Sequence, residues 1–396
     1  MTAARAQEQD EVKGAPAEPA DAKQVREQIA AVVKLQPTLP DRGAALYFLA
    51  AAKQHLREDR DALALLKDCL ALREGFDPSG DPAFLELKGT REFTTLIDAV
   101  HRDFPVVAQA REAFRTTEKD LIPEGLAFDS LRNVFYLSSL NRRKIVETGR
   151  DGTATDFVPT DRYDLLPVLG IRLSPSDGTL WADSFADTGQ TELLHFDAEG
   201  KLLGRFKPGG AGMHGFNDLV VRKNGDVITT DSLANAVFRF DPATRTFTPL
   251  RLHRPVFYPN GIALSGDEHT LYVADNLGVV ALGLLKGDSR DVDPGARSTL
   301  AGIDGLYWYN GSLVSVQNGI GSPRVAMFRL SRDGLRVTRT TILENRTNFT
   351  VLPTTGAIRR SDFYFIANSQ IDNLNNDKVM DATKLEVVRV AVLRLP

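Results

Sequence analysis

Residues 258–276 read YPNGIALSGDEHTLYVADN, and this stretch carries the plan of most of the chain. A polar residue and a glycine, Asn260-Gly261, lead into an alternating apolar run. A turn at Ser265-Gly266-Asp267 follows, and a second alternating strand ends on the small polar Asp275. Period-two alternation rich in β-branched and aromatic residues, broken by such turns, is the pattern of antiparallel strand pairs. The unit recurs at Glu124 (EGLAFD), Leu169 (LGIRLS), Asn217 (NDLVVR), Asp304 (DGLYWY) and Thr355 (TGAIRR). With Asn260 included, the six starts are spaced 45, 48, 43, 44 and 51 residues apart. Second strands such as NVFYLSS, DVITTDS and DFYFIANS end at Ser138, Asp183, Asp231, Gln317 and Asn368.

A unit of several strands repeating every 43 to 51 residues predicts a β-propeller with one blade per period, hence six blades. An open first or last blade would expose a long strand edge, so the ring must close. EAFRTTEKDL (112–121) is expected to pair with VVRVAVLRL (387–395) and complete the sixth blade. The propeller is assigned to 109–396.

The 396 residues suffice for one large and one small domain. A net charge of −4 with mixed signs offers neither a nucleic-acid patch nor a polybasic membrane anchor. No apolar run is long enough to span a bilayer. The single cysteine, Cys69, excludes an intrachain disulfide and reads as a helix packing residue. Residues 1–20 are rich in Ala, Glu, Gln and Pro and are expected to be disordered. Within them Ala4-Arg5-Ala6 resembles a secretory cleavage pattern without its apolar core, which leans towards a periplasmic or secreted location, with the cytoplasm as the alternative.

Residues 21–108 read as helical. Val25, Ile29 and Val32 or Val33 share one helical face. Asp41 can cap a second helix that aligns Ala45, Leu49, Ala52 and Leu56. A third, Arg60 to Glu74, should end at Gly75, and a fourth runs from Thr90 to about His101. ALYFLAAAKQHLREDRDALALLKDCLALREGF (45–76) resembles a tetratricopeptide-type helical hairpin. Such repeats dock partner proteins, but a single hairpin equally suits a cap packed on the propeller.

The first residues of the inner strands converge at a propeller's axis. There Glu124, Asn217, Asn260 and Asp304 would bring two carboxylates and two amides together, with Leu169 and Thr355 in the other places. Such hard oxygens suit Ca²⁺ and leave coordination positions open for water or substrate. Mg²⁺ or Mn²⁺ are alternatives, whereas zinc is a poor match for a set without His or Cys. Asn-Gly and Asp-Gly are also ordinary turn dipeptides, but the shared register separates these four from chance turns. His214, in the Gly-rich approach GGAGMHGFND, can act as a base or substrate contact. Tyr258, Phe185 and Met213 are candidates for an apolar substrate wall. Arg172 can bind an anionic substrate group or face outward, and His195 reads as structural.

IPEGLAFD (122–129), FNDLVVRKNGDVITTDS (216–232), YPNGIALSGDEHTLYVADN (258–276) and GIDGLYWYNGSLVSV (302–316) resemble, in order, the gluconolactonase, regucalcin and luciferin-regenerating enzyme family. That family shares a superfamily with paraoxonases and strictosidine synthase-like proteins. The resemblance covers about residues 112–396 and implies a six-bladed, calcium-dependent propeller that hydrolyses lactones or related esters. By motif, Glu124, Asn260 and Asp304 match metal ligands, Asn217 matches a metal or substrate position, and Asp304 matches the proposed base. Leu169-Gly170 stands where paraoxonases carry a histidine, and Thr355-Gly356 where strictosidine synthase carries a catalytic glutamate, so neither of those mechanisms is expected. A non-catalytic calcium-stabilised propeller, or another metal-dependent reaction such as phosphotriester hydrolysis or a lyase step, are the alternatives.

Overall fold

The computed structural model describes residues 19–210 and 212–396. The residues carrying the secretory resemblance, and nearly all of the tail expected to be disordered, lie outside that range. Blade 1 is formed by Leu126–Asp129, Val134–Ser138, Ile145–Thr148 and Ala154–Val158. Blade 2 comprises Val168–Leu173, Leu180–Phe185, Thr191–Phe196 and Leu202–Phe206, and blade 3 Phe216–Val221, Val227–Asp231, Ala236–Asp241 and Thr246–Pro249. Blade 4 comprises Ile262–Leu264, Thr270–Asp275, Gly278–Gly283 and Ser289–Asp291. Blade 5 comprises Ile303–Tyr309, Ser312–Gln317, Arg324–Leu330 and Val337–Asn345, with Val107–Ala108 as a fifth strand. Each blade is an antiparallel meander, and the six make the expected ring.

Blade 6 closes that ring. Gly356–Arg359, Asp362–Ile366 and Arg389–Arg394 are joined by Arg111–Arg115, with Arg111 opposite Val392 and Arg115 opposite Arg389. The closing strand thus comes from the start of the predicted segment, and both chain regions lose their open edges. In the Tyr309–Ser312 hairpin Asn310 and Gly311 both take left-handed φ (46° and 75°), as a type I′ turn requires. The core lies between blades. Phe135 of blade 1 meets Tyr364 of blade 6 at 4.7 Å between ring centroids, and Phe206 of blade 2 meets Phe240 of blade 3 at 4.5 Å.

Four helices precede the ring: α1 (Ala22–Leu35), α2 (Arg42–His55), α3 (Asp59–Ala71) and α4 (Arg91–Asp103). Asp41 caps α2 as expected, its Oδ1 accepting from Ala44 N at 3.1 Å. Helix α3 ends earlier than the glycine suggested because Arg73 already turns left-handed (φ 57°). Gly75 serves another purpose: a Cβ there would lie 2.2 Å from Arg324 Nη1, where the chain runs onto blade 5.

First and second strands of a blade are antiparallel, so loops leading into the blades and loops after second strands open on one face, the mouth. The helices sit on that face over blades 4 and 5. Val32, Leu39, Ala45 and Leu49 pack on Phe257 and Leu277, while Ala44, Tyr47 and Phe76 share a cluster with Ala301 and Ile320. Cys69 is fully buried in the latter, and burial pushes its thiol well above the ordinary range. Asp41 is shared between the two parts: its Oδ2 accepts from Thr299 Oγ1 (2.9 Å) and Leu300 N (2.8 Å). Among the described residues no helix is long and apolar enough to cross a membrane.

Candidate functional site

The inner strands approach the axis so closely that the residue after the start has little room for a side chain. A Cβ on Gly170 would lie 2.6 Å from the carbonyl oxygen of Asn217, and one on Gly261 2.7 Å from that of Asp304. Gly125 and Gly305 lie under the Leu169 and Thr354 carbonyls in the same way. Thr230 Oγ1 bridges the carbonyls of Asp218 and Asn260, and Thr354 Oγ1 donates to Glu124 O at 3.1 Å across the closure between blades 6 and 1. Blades 3 and 4, and blades 6 and 1, are thereby fastened together, and the glycines at 125, 170, 261 and 305 are explained by close approach.

Around this ring three of the four singled-out side chains keep a buried oxygen without a partner. Asn260 Nδ2 donates to Asp304 Oδ1 at 3.0 Å, and Asn217 Nδ2 donates to Ser232 Oγ at 2.9 Å. In both cases the amide nitrogen is used and the amide oxygen is left over. Glu124 Oε2, Asn217 Oδ1 and Asn260 Oδ1 are buried without any hydrogen-bond partner. Buried polar atoms are normally satisfied, so three orphaned oxygens at three repeat-related positions mark a candidate cradle. Among the described residues no group of three or more His, Cys, Asp and Glu is placed to hold a metal ion. The cradle is instead a mixed set of carboxylates and amides, which fits a hard cation.

The electrostatics agree. Burial, followed by the charges of Asp304 and Asp218, pushes the Glu124 carboxyl well above its usual range. Burial lifts Asp304 to about 6, against the hydrogen bonds from Asn318 and Asn260 that hold it down. Arg172 points across the axis rather than outward. Its Nη2 lies 2.9 Å from Asp218 Oδ2, and its guanidinium sits 5.2 Å from the centre of the Tyr307 ring of blade 5. It is the cation beside Glu124, Asp183 and Asp218, so its charge is already engaged within the channel. Asp183 is fully buried with Oδ1 unpartnered, and burial raises its carboxyl as well. The centre therefore carries more buried carboxyl groups than fixed positive charge.

His214 Nδ1 lies 2.6 Å from Asp231 Oδ2, an acid that also accepts from Gly215 N and Ala234 N. In blade 4 Arg254 pairs with the repeat-related Asp275 at 2.7 Å. The His214 contact thus follows a fastening pattern of the approach loops. Tyr258 is left-handed (φ 52°), unusual for a bulky residue, and half-exposed at the mouth. Burial of its hydroxyl, then the charges of Asp304 and Glu124, pushes the phenol upward. Phe185 is half-buried against Ile122, Leu140, Leu169 and Leu385. Met213 is exposed and covers Gly189. His195 stacks on Trp181 at 3.9 Å in the third strand of blade 2.

Two contributors were missed in the sequence. Asn318 Nδ2 donates to Asp304 Oδ2 (2.5 Å) and to Pro353 O (2.9 Å), and Ser232 Oγ receives Asn217 while donating to Pro259 O at 2.7 Å. The signal was present. One place after each second-strand end stands Ser139, Ser184, Ser232, Asn276, Asn318 or Ser369, a second polar register beside the first.

In sequence, no protein family and no curated protein matches the chain. In structure it is similar to a gluconolactonase from Xanthomonas campestris, with a TM-score of 0.51 and 18% identity over 74% of this chain and 91% of that one. It is also similar to virginiamycin B lyase from Staphylococcus aureus (TM-score 0.50, 16% identity, 72% of this chain and 99% of that one). A PQQ-bound aldose sugar dehydrogenase from Streptomyces coelicolor gives a TM-score of 0.50 at 14% identity, over 73% of this chain and 99% of that one. At such identities the likeness establishes the propeller, while lactonase, lyase and dehydrogenase chemistry all occur among these neighbours.

Proposed function

We propose that the chain is a calcium-dependent hydrolase of lactones or related esters, working in the axial pocket with Asp304 as its base. The observation that carries this reading is the trio of buried, unpartnered oxygens on Glu124, Asn217 and Asn260 beside Asp304. Glu124 and Asp304 would supply the charge that balances a divalent ion, and Asn217 and Asn260 would supply neutral oxygens. A calcium ion held there provides a Lewis acid for the ester carbonyl and makes water more acidic.

The chain's own residues do the rest. Asn260 and Asn318 hold the Asp304 carboxylate from both sides, so it cannot swing away from the pocket. Attack by water forms the new C–O bond while Asp304 takes a water proton. The ring C–O bond then breaks, and the same proton passes to the departing alkoxide. Tyr258 stands half-exposed at the mouth, and the helices pack over blades 4 and 5 on the same face. A carboxylate engaged in two amide hydrogen bonds is a modest base, which suits strained or activated esters better than amides.

The test is turnover of γ- and δ-lactones, aryl esters and a phosphotriester with and without a chelator, alongside calcium titration calorimetry. Loss of lactone turnover on chelation and its return with Ca²⁺ is the expected result. Calcium uptake without turnover of any ester would favour a purely structural ion, and no uptake at all would refute the proposal.

A further inference from the structure

The hairpins that join first to second and third to fourth strands open on the face opposite the mouth. Between blades 4 and 5 they border a cleft of 520 Å³ whose lining includes none of the axial side chains. Trp308 forms part of its wall, half-buried, with its ring stacked on Tyr272 at 5.8 Å and Nε1 unpartnered among the described residues. Asp267 and Asp333 stand in the hairpin turns of the two blades, each Oδ1 accepting from the serine two places before it, Ser265 or Ser331. Arg329 and Arg332 complete the lining. Ser331 also borders a second cleft, of 720 Å³, on the outer flank of blade 5. There residues 294–297 run beside the outer strand, and Arg297, Arg336 and Arg339 line the space.

These five arginines are short of counter-charge. Arg336 reaches Asp293 at 3.5 Å, while among the described residues Arg297, Arg329, Arg332 and Arg339 form no ion pair. Arg329 stands directly opposite Arg339 in the sheet, a like-charge pair that costs stability unless an anion lies across it. The chain as a whole carries −4, so this strip runs against the general charge. All five are arginine rather than lysine, and the planar guanidinium takes a carboxylate through two parallel hydrogen bonds. A dense polyphosphate would meet repulsion from Asp267 and Asp333. Sugar hydroxyls instead donate to such carboxylates, and the apolar C–H face of a sugar ring suits an indole.

We propose that the two adjoining clefts bind an acidic polysaccharide, a chain of sugars bearing carboxylates at intervals. The arginines take the carboxylates, Asp267 and Asp333 the hydroxyls, and Trp308 a sugar ring. This surface is separate from the axial pocket, so it stands or falls independently of the hydrolase reading.

The experiment titrates the full chain with hexagalacturonate by calorimetry and by tryptophan emission. Maltohexaose is the uncharged control, and single-stranded DNA of equal charge is the competing polyanion. The chain has two tryptophans, and Trp181 is buried in blade 2, so an emission change reports on Trp308. Hexagalacturonate is expected to bind and maltohexaose not, with binding weakened as salt rises from about 0.05 to 0.5 M. Arg297→Gln and Arg339→Gln should each weaken it by about tenfold or more, and Trp308→Phe should remove the emission change. Melting temperatures check that the variants fold, and Arg297, exposed in a loop, can be replaced without touching the sheet. Absence of saturable hexagalacturonate binding, or binding unchanged in both arginine variants, overturns the proposal. An emission change that survives in Trp308→Phe places the ligand away from the blade 4–5 cleft and overturns it too. DNA bound as tightly, with the same losses in the variants, would make the strip a general polyanion surface and sink the saccharide assignment.

Discussion

Calcium binding should displace protons, and the amount follows from the pocket. Without a cation, burial lifts Asp304 to about 6 and Glu124 well above its ordinary range, the Asp304 charge adding to the latter. Only the ionised carboxylates bind the cation, so protons compete with it and affinity must fall as pH falls. From Asp304 alone, the loss between pH 8 and 6 is about twofold, and between pH 8 and 5 about tenfold. Glu124 can only steepen this. About half a proton should leave Asp304 per ion bound at pH 6 and almost none at pH 8. Titration calorimetry in two buffers of different ionisation enthalpy counts these protons directly. An affinity that stays level between pH 8 and about 5, with heats that do not depend on buffer, would refute the claim that these buried carboxyls are ligands.

Other substitutions test separate parts of the argument. Asp304→Asn and Asn260→Ala should each lower kcat/KM by about 10²-fold or more, with the melting temperature in chelator little changed; a large loss of melting temperature at unchanged rate would assign the site to structure. Gly170→Ala drives a Cβ to 2.6 Å from Asn217 O, so it should cost roughly 1–3 kcal/mol by urea unfolding and weaken calcium binding. Arg172→Met strands the buried Asp218 carboxylate, with an expected loss of about 3–5 kcal/mol in the same assay. Asp41→Ala removes the α2 cap and leaves Leu300 N without its partner; a loss of roughly 2–5 kcal/mol is expected, and a loss below 1 kcal/mol would mean the helices are not anchored as described.

What could be read directly were the features that repeat locally. Strand alternation, turn dipeptides such as Asn310-Gly311 and the spacing of the starts depend on neighbours a few residues away, so each blade announces itself in its own segment. The Asp41 cap is local too, since it needs only Ala44 N. The same register brought Glu124, Asn217, Asn260 and Asp304 forward as one set. Asn318 and Ser232 belong to an equally periodic register one place further on, and were missed because small polar residues there look like ordinary turns.

What the amino-acid order alone determined, then, was the number of blades, the closing strand and the positions brought to the axis. Tertiary structure decided which atoms of those side chains stay unpartnered, because that depends on who else reaches them. Asn260 turns its nitrogen to Asp304, a residue 44 positions away, and only then is its oxygen left over. Arg172 crosses to Asp218 and Tyr307, and the helices choose blades 4 and 5. These are contacts between chain segments that only ring closure makes neighbours, and no local pattern encodes them.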